Sequence, residues 1–333
     1  MPTGAQLKAL LKSLEEGDDQ RLYSVALQMA AHEAHLGHGK LATDLRKLID
    51  SIRGKQRSVV EHQHRLPTPL AQPRGELAGL LSVTYPDVRL IDVILPKDLE
   101  KRVRRVLHEH RQDAKLRSHG LFPRSKLLLV GPPGSGKTMT ARALAGELRV
   151  PLFSIMLDGL ITKFMGETAA KLRLVFDAMR RTQGVYLFDE FDAIGGQRTF
   201  SNDVGEVRRI LNSFLSLLEE MDPSSLVVAA TNHPELLDRA LSRRFDDVLD
   251  YDFPSIDLAK RALRGRFSTL DTSQVNWDAV ASLSAGLSYA EIIKACDDAA
   301  KAAILADRDA IDTDQLRASI EERKRAKSQS AAG

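Results

Sequence analysis

The sequence predicts an α/β protein: a five-stranded parallel sheet with flanking helices, followed by a small helical lid and preceded by a helical N-terminal domain. Three observations predict it. Five short apolar runs alternate with amphipathic segments between residues 126 and 251, the pattern of strands buried on both faces and joined by helical crossovers. A glycine-rich loop follows the first of those runs and opens a helix. The flanking segments, by contrast, show only helical periodicity.

Composition narrows the class before any element is placed. The chain has 333 residues, 43% hydrophobic and 28% charged, with a net charge of +3. That suits a soluble protein of two or three domains and is too mild a basicity to indicate nucleic-acid binding. The one cysteine, Cys296, excludes an intramolecular disulfide and fits a reducing compartment. No signal-peptide core and no run of about 18 apolar residues is present, so the expectation is a cytoplasmic protein without a membrane partner.

In chain order, positions 1–65 carry three helical patterns: Leu7, Leu10, Leu11 and Leu14; then Leu22, Val25, Ala26 and Met29; then Leu41, Leu45, Leu48, Ile49 and Ile52. They predict a small docking or substrate-binding module. His32, His35 and His38 fall one residue short of the spacing that puts two zinc-binding histidines a full turn apart, so they read as helix-surface or packing residues. Pro67, Pro69, Pro73, Gly75 and Gly79 give 66–85 the composition of a linker. From about Pro96 to Lys115 a helix with Leu99, Val103, Val106 and Leu107 on its buried stripe is expected, its basic cluster Lys101, Arg102, Arg104 and Arg105 facing solvent.

The α/β domain spans 86–254. Its predicted strands are Lys126–Val130, Leu152–Met156, Val185–Asp189, Leu226–Thr231 and Val248–Tyr251. Helices are predicted to about Leu148, around Ala169–Met179 and around Val207–Met221. Residues 255–325 read as the helical lid, and the polar stretch 326–333 as a disordered tail.

Gly131-Pro132-Pro133-Gly134-Ser135-Gly136-Lys137-Thr138 is the strongest chemical signal. Between a strand and a helix it reads as a P-loop, where glycines let backbone N–H groups turn toward phosphate oxygens. The helix N-terminus adds its positive end. Lys137 is expected on the β- and γ-phosphates and Thr138 on Mg²⁺, with Met139 next in line at the nucleotide. Val185-Tyr186-Leu187-Phe188-Asp189-Glu190 predicts a buried strand ending in two acids: Asp189 for Mg²⁺ and Glu190 to orient and polarise the attacking water. A signalling GTPase needs only the first acid, so the pair favours ATP hydrolysis.

With those motifs, residues from about Ile91 to Ala310 resemble one module of the AAA ATPase family, in the style of its meiotic-clade and protease-linked members. Lys163-Phe164-Met165-Gly166-Glu167-Thr168 resembles the family's aromatic–hydrophobic–glycine pore loop, and Glu206-Val207-Arg208-Arg209 the stretch near a second one. Thr231-Asn232-His233-Pro234 through Arg243-Arg244-Phe245-Asp246 resembles the second region of homology. The resemblance makes Asn232 the sensor of the γ-phosphate and makes Arg243 and Arg244 fingers donated to a neighbouring subunit. Gly286-Leu287-Ser288-Tyr289-Ala290-Glu291 matches the start of the lid's sensor helix, placing Gly286 and Ala290 at the nucleotide. That helix lacks the arginine that clamp loaders and helicases use there.

The resemblance implies a homo-oligomeric ring, expected to be a hexamer, that threads protein substrates past Lys163, Phe164, Met165 and Gly166. No protease motif is present, so a protease or adaptor would be a separate chain, bound through the N-terminal domain. The alternatives are a DNA-acting loader and a nucleotide-dependent assembly switch.

Overall fold

The computed structural model describes residues 73–160, 165–192, 204–221, 223–233, 242–267 and 270–332. The N-terminal module and its histidines lie outside the described residues.

The sheet has six strands rather than five. In chain order they are β1 (Leu81–Thr84), β2 (Lys126–Val130), β3 (Leu152–Ile155), β4 (Val185–Phe188), β5 (Leu226–Thr231) and β6 (Asp247–Asp250). Their spatial order is β1-β3-β4-β5-β2-β6. The five expected strands are parallel to one another, and β1 pairs antiparallel with β3 at the edge. β1 emerges from the stretch read as linker. Its prolines and glycines precede Leu81, and only Leu81 of the strand is buried, which is what an edge strand needs. The central β5 is buried at all six positions, because helices cover both faces of the sheet.

One face packs against α1 (Lys97–Arg111) and α3 (Lys137–Leu148); the other packs against α5 (Met165–Arg181) and α6 (Val204–Glu219). Helix α1 buries Leu99, Val103, Val106 and Leu107 as expected. A short helix α2 (Asp113–Ser118) continues it, and α4 (Leu157–Leu160) is a single turn before α5. One member of the basic cluster departs from the solvent-facing reading: Arg102 pairs with Asp247 and donates to the Val248 carbonyl, anchoring α1 to β6.

Four phenylalanines lock the floor beneath the acidic pair. Phe188 and Phe191 flank Asp189-Glu190, are both fully buried, and meet Phe214 of α6 at ring-centroid distances of 5.1 and 4.8 Å. Phe176 of α5 joins them edge-on to Phe214 at 5.7 Å. Such pairs contribute about 0.5–1.5 kcal/mol each beyond buried area, so the turn carrying the acids is held at both ends.

The lid consists of α7 (Ile256–Arg266), α8 (Trp277–Leu283), α9 (Tyr289–Leu305) and α10 (Thr313–Ala332) around its own apolar cluster. Ser255, Asn276 and Ser288 cap the first three. Cys296 is buried inside this cluster, and burial pushes its thiol up to about 12. The expected disordered tail is a correction: α10 runs on through it to Ala332. Alanines and long-chain polar residues are good helix formers, and Lys327 ties the end of α10 to the start of α9. Among the described residues no helix is long and apolar enough to cross a membrane.

Candidate active site

The chemistry-bearing residues meet at the C-terminal edge of the parallel strands, where ligands bind in open α/β sheets. The P-loop leaves β2, Asp189 and Glu190 leave β4, and Asn232 leaves β5. β5 lies between the other two strands, so the Asn232 strand neighbours both the P-loop strand and the Asp189 strand. Tyr251, just beyond β6, closes the row, its N–H donating to the Val130 carbonyl.

Two loop glycines are required by close approach. A Cβ on Gly131, at φ +149°, would lie 2.2 Å from the Tyr251 carbonyl oxygen. A Cβ on Gly134, at φ +73°, would lie 2.7 Å from Ser288 Oγ and 2.9 Å from Ala290 Cβ. The loop is thus wedged between β6 and the first turn of the lid helix α9. The Ala290 N–H also donates to the Gly134 carbonyl at 3.2 Å.

Lys137 sits in the first turn of α3 and is nearly fully buried. Its Nζ donates to the carbonyls of Gly131 at 2.7 Å and Pro132 at 2.9 Å, and to Asn232 Oδ1 at 2.8 Å. Burial depresses its pKa, with the charges of Asp189 and Asp192 acting the other way. Thr138 Oγ1 donates to Asp189 Oδ2 at 2.7 Å. The other carboxylate oxygen accepts the Glu190 N–H at 3.0 Å. Glu190 itself adopts φ +52°, an uncommon backbone state for a side chain of its size, and its side chain projects to solvent.

The structure therefore bonds Lys137 to Asn232 and Thr138 to Asp189 at one edge of the sheet, with Glu190 joined to Asp189 through its backbone N–H. Asp192 was missed by sequence reasoning. Its Oδ1 accepts from Thr231 Oγ1 at 2.9 Å and from the Asn232 N–H at 3.3 Å, fixing the backbone of the residue whose amide meets Lys137. The available signal was a third carboxylate close behind the acidic pair, on the same turn.

The residues fit a Mg-nucleotide. Among the described residues only two buried side-chain polar atoms lack a hydrogen-bond partner, Ser135 Oγ and Tyr289 Oη. The first is in the P-loop, where a phosphate oxygen could accept its proton. Three Lys137 bonds end on neutral acceptors, which a polyphosphate could replace with charge. Thr138 Oγ1 and Asp189 Oδ2 are close enough to share one hard cation.

Other expected site residues fall apart from this set or outside it. Met139 is half exposed on α3. The Gly286 carbonyl accepts from Lys327 Nζ rather than facing an open cleft. Arg243 and Arg244 are exposed and lie beside the opposite end of the sheet: Asp246 N–H bonds Lys126 O at the start of β2. Arg244 pairs with Glu219 of its own chain. Five strand residues at about 3.3 Å each separate that end from the P-loop, roughly 16 Å, farther than the side chain can reach back. Lys163 and Phe164 lie outside the described residues, and Met165 and Gly166 form the start of α5.

The chain is similar in sequence and fold to known proteins. Residues 127–253 match the family described as "ATPase family associated with various cellular activities (AAA)". The chain is 36% identical over 307 residues to the uncharacterized AAA family ATPase y4kL of Sinorhizobium fredii, covering 92% of this chain and 90% of that protein. It is 39% identical over 214 residues to the ATP-dependent zinc metalloprotease FtsH 2 of Sorangium cellulosum, covering 61% of this chain and 35% of that one. With the proteasome-activating nucleotidase of Sulfurisphaera tokodaii it shares 34% identity, over 62% of this chain and 54% of the relative. The match thus takes in about a third to a half of these longer relatives. Among solved structures, the FIGL-1 AAA domain superposes with a TM-score of 0.59 at 25% identity, covering 73% of this chain and 85% of that one.

Proposed function

The chain belongs to the AAA family of ATPases, and from that premise we propose that it hydrolyses Mg-bound ATP at the P-loop to remodel protein substrates as a homo-oligomeric ring. The observation that carries the reading is that Lys137 bonds Asn232 and Thr138 bonds Asp189 at one edge of the sheet. Relatives named as an ATP-dependent metalloprotease and as a proteasome-activating nucleotidase support protein, rather than nucleic acid, as the substrate class.

In this reading the backbone N–H groups of Gly134 through Thr138 cradle the phosphates, and Lys137 transfers its bonds from neutral acceptors to phosphate oxygens. Thr138 and Asp189 hold Mg²⁺, which when bound offsets charge on the phosphate oxygens. Glu190 accepts a proton from the attacking water and aims it. Asn232, braced by Asp192, donates its amide N–H toward the γ-phosphate once Lys137 has released its oxygen. Gly286, Ala290 and Met139 border the rest of the nucleotide. Arg243 and Arg244 serve the site of a neighbouring subunit, since their own is at the far end of β2. A hexamer is the ring size we propose, with a protease or adaptor as a separate chain.

Lys163, Phe164, Met165 and Gly166 grip the substrate in the pore. Phe164→Ala should spare ATP binding and ring formation while abolishing unfolding of a protein substrate. Its melting temperature should change little, because a buried phenylalanine would cost about 3–5 kcal/mol and an exposed one far less. An ATP-dependent unfolding assay beside a melting curve makes the test. Unchanged remodelling at unchanged stability removes the pore mechanism; a large fall in melting temperature makes Phe164 a core residue.

A further inference from the structure

The end of α10 reaches the lid turn that packs on the P-loop, although it is remote from that loop in sequence and carries no recognised motif. Lys327 Nζ donates to the Gly286 carbonyl at 2.8 Å and to Glu291 Oε2 at 3.2 Å, and lies 4.5 Å from the centroid of the Phe253 ring. The first two partners bracket the turn 286–291. Within that turn Glu291 Oε2 accepts the Ser288 N–H at 2.6 Å and Ser288 Oγ accepts the Glu291 N–H at 3.3 Å, a reciprocal helix cap.

That capped turn touches the P-loop. Ser288 Oγ and Ala290 Cβ occupy the space beside Gly134, and the Ala290 N–H donates to the Gly134 carbonyl. Phe253 belongs to the segment that joins β6 to the lid, two residues after Tyr251, whose carbonyl backs Gly131. One ammonium group therefore holds the connection into the lid, the turn before the lid helix and the acid that caps it. Burial acts against the Glu291 charge, but the Ser288 and Lys327 bonds outweigh it and hold its carboxyl below the ordinary glutamate range.

We infer that Lys327 is a positioning residue for nucleotide binding: it seats the lid turn 286–291 on the phosphate-binding loop, making the C-terminal helix a structural part of the ATP site. Lys327 touches no catalytic group, so it sets how well the loop is preorganised rather than how fast the bond to the γ-phosphate breaks. The inference rests on the ATPase activity and not on protein remodelling, because it is read in the basal reaction.

The experiment uses the full chain. Lys327→Met keeps most of the aliphatic stem and removes the charge; Glu291→Gln removes the other member of the tie. ATP KM and kcat are measured for each single variant and the double, and ATP affinity is measured in a Glu190→Gln background so that binding is read without turnover. For Lys327→Met, KM and Kd should rise about threefold to tenfold, the scale of a partly exposed charge pair with one cation–π contact. The kcat should stay within about twofold of wild type, and the double variant should bind little worse than the worse single variant. Unchanged KM and Kd, a fall confined to kcat, or additive effects would each overturn the inference. Should Lys327→Met melt early, Lys327→Arg, which keeps a cation in place, must restore both melting temperature and KM. Restoration of the melting temperature alone makes Lys327 merely structural and overturns the inference as well.

Discussion

Glu190→Gln should bind ATP and scarcely hydrolyse it, with turnover falling by about 10²–10⁴, the contribution of a positioned proton acceptor. The substitution keeps the shape and the φ of +52° that the turn imposes, but an amide cannot take a proton from water. Nothing that holds the phosphates changes: Lys137 keeps its bonds to the Gly131 and Pro132 carbonyls and to Asn232, and Thr138 keeps Asp189. The fall should therefore appear in kcat, with ATP retained on the protein after gel filtration. Phosphate release and analysis of the bound nucleotide provide the check. Near-wild-type turnover would remove the role assigned to Glu190 and leave Asp189 or Asp192 to supply it.

The second large effect is expected at a residue remote from its own active site. Arg244→Ala should lower ATPase activity by about 10³–10⁵, the worth of an arginine that stabilises charge on a transferring phosphoryl group. Asp247 pairs in register with Leu127 and Asp250 with Val130, so the turn carrying Arg244 and the P-loop lie at opposite ends of the strands. In the single chain Arg244 lies beside Glu219, away from its own P-loop. Mixing Arg244→Ala with Lys137→Ala separates donation between chains from any role within one. Each variant alone should be inactive, and mixed rings should regain activity at interfaces where an intact P-loop faces an intact arginine. Full activity of an Arg244→Ala monomer would reject donation between subunits. Mixed rings that stay inactive would mean that isolated working interfaces do not suffice.

What could be read from sequence followed local physics. Each parallel strand is an apolar run bounded by polar or turn residues, and burial on both faces demands that run, so all five parallel strands were legible. The edge strand β1 was not: Leu81 alone is buried there, and the prolines and glycines before it look like linker. The P-loop, Asp189 and Glu190 were legible because each depends on a strand end and its following turn. Asp192 was hidden because its role depends on Thr231 and Asn232, 39 and 40 residues away. Lys327 was hidden for the same reason: a polar helix end looks alike whether it is solvated or, as here, bonded to Gly286 and Glu291. The distance of Arg244 from its own P-loop required the β2–β6 register, which no local pattern contains.

The central claim is that ATP energy is used on protein, and the most direct measurement compares basal ATPase activity with activity in the presence of an unfolded polypeptide or of single- or double-stranded DNA. On this account the polypeptide accelerates hydrolysis in wild type, DNA of either form leaves the rate unchanged, and Phe164→Ala removes the acceleration while retaining the basal rate. Acceleration by DNA with none by polypeptide would contradict the account and make the protein a DNA-acting machine; a rate indifferent to all three would leave ATP controlling assembly alone.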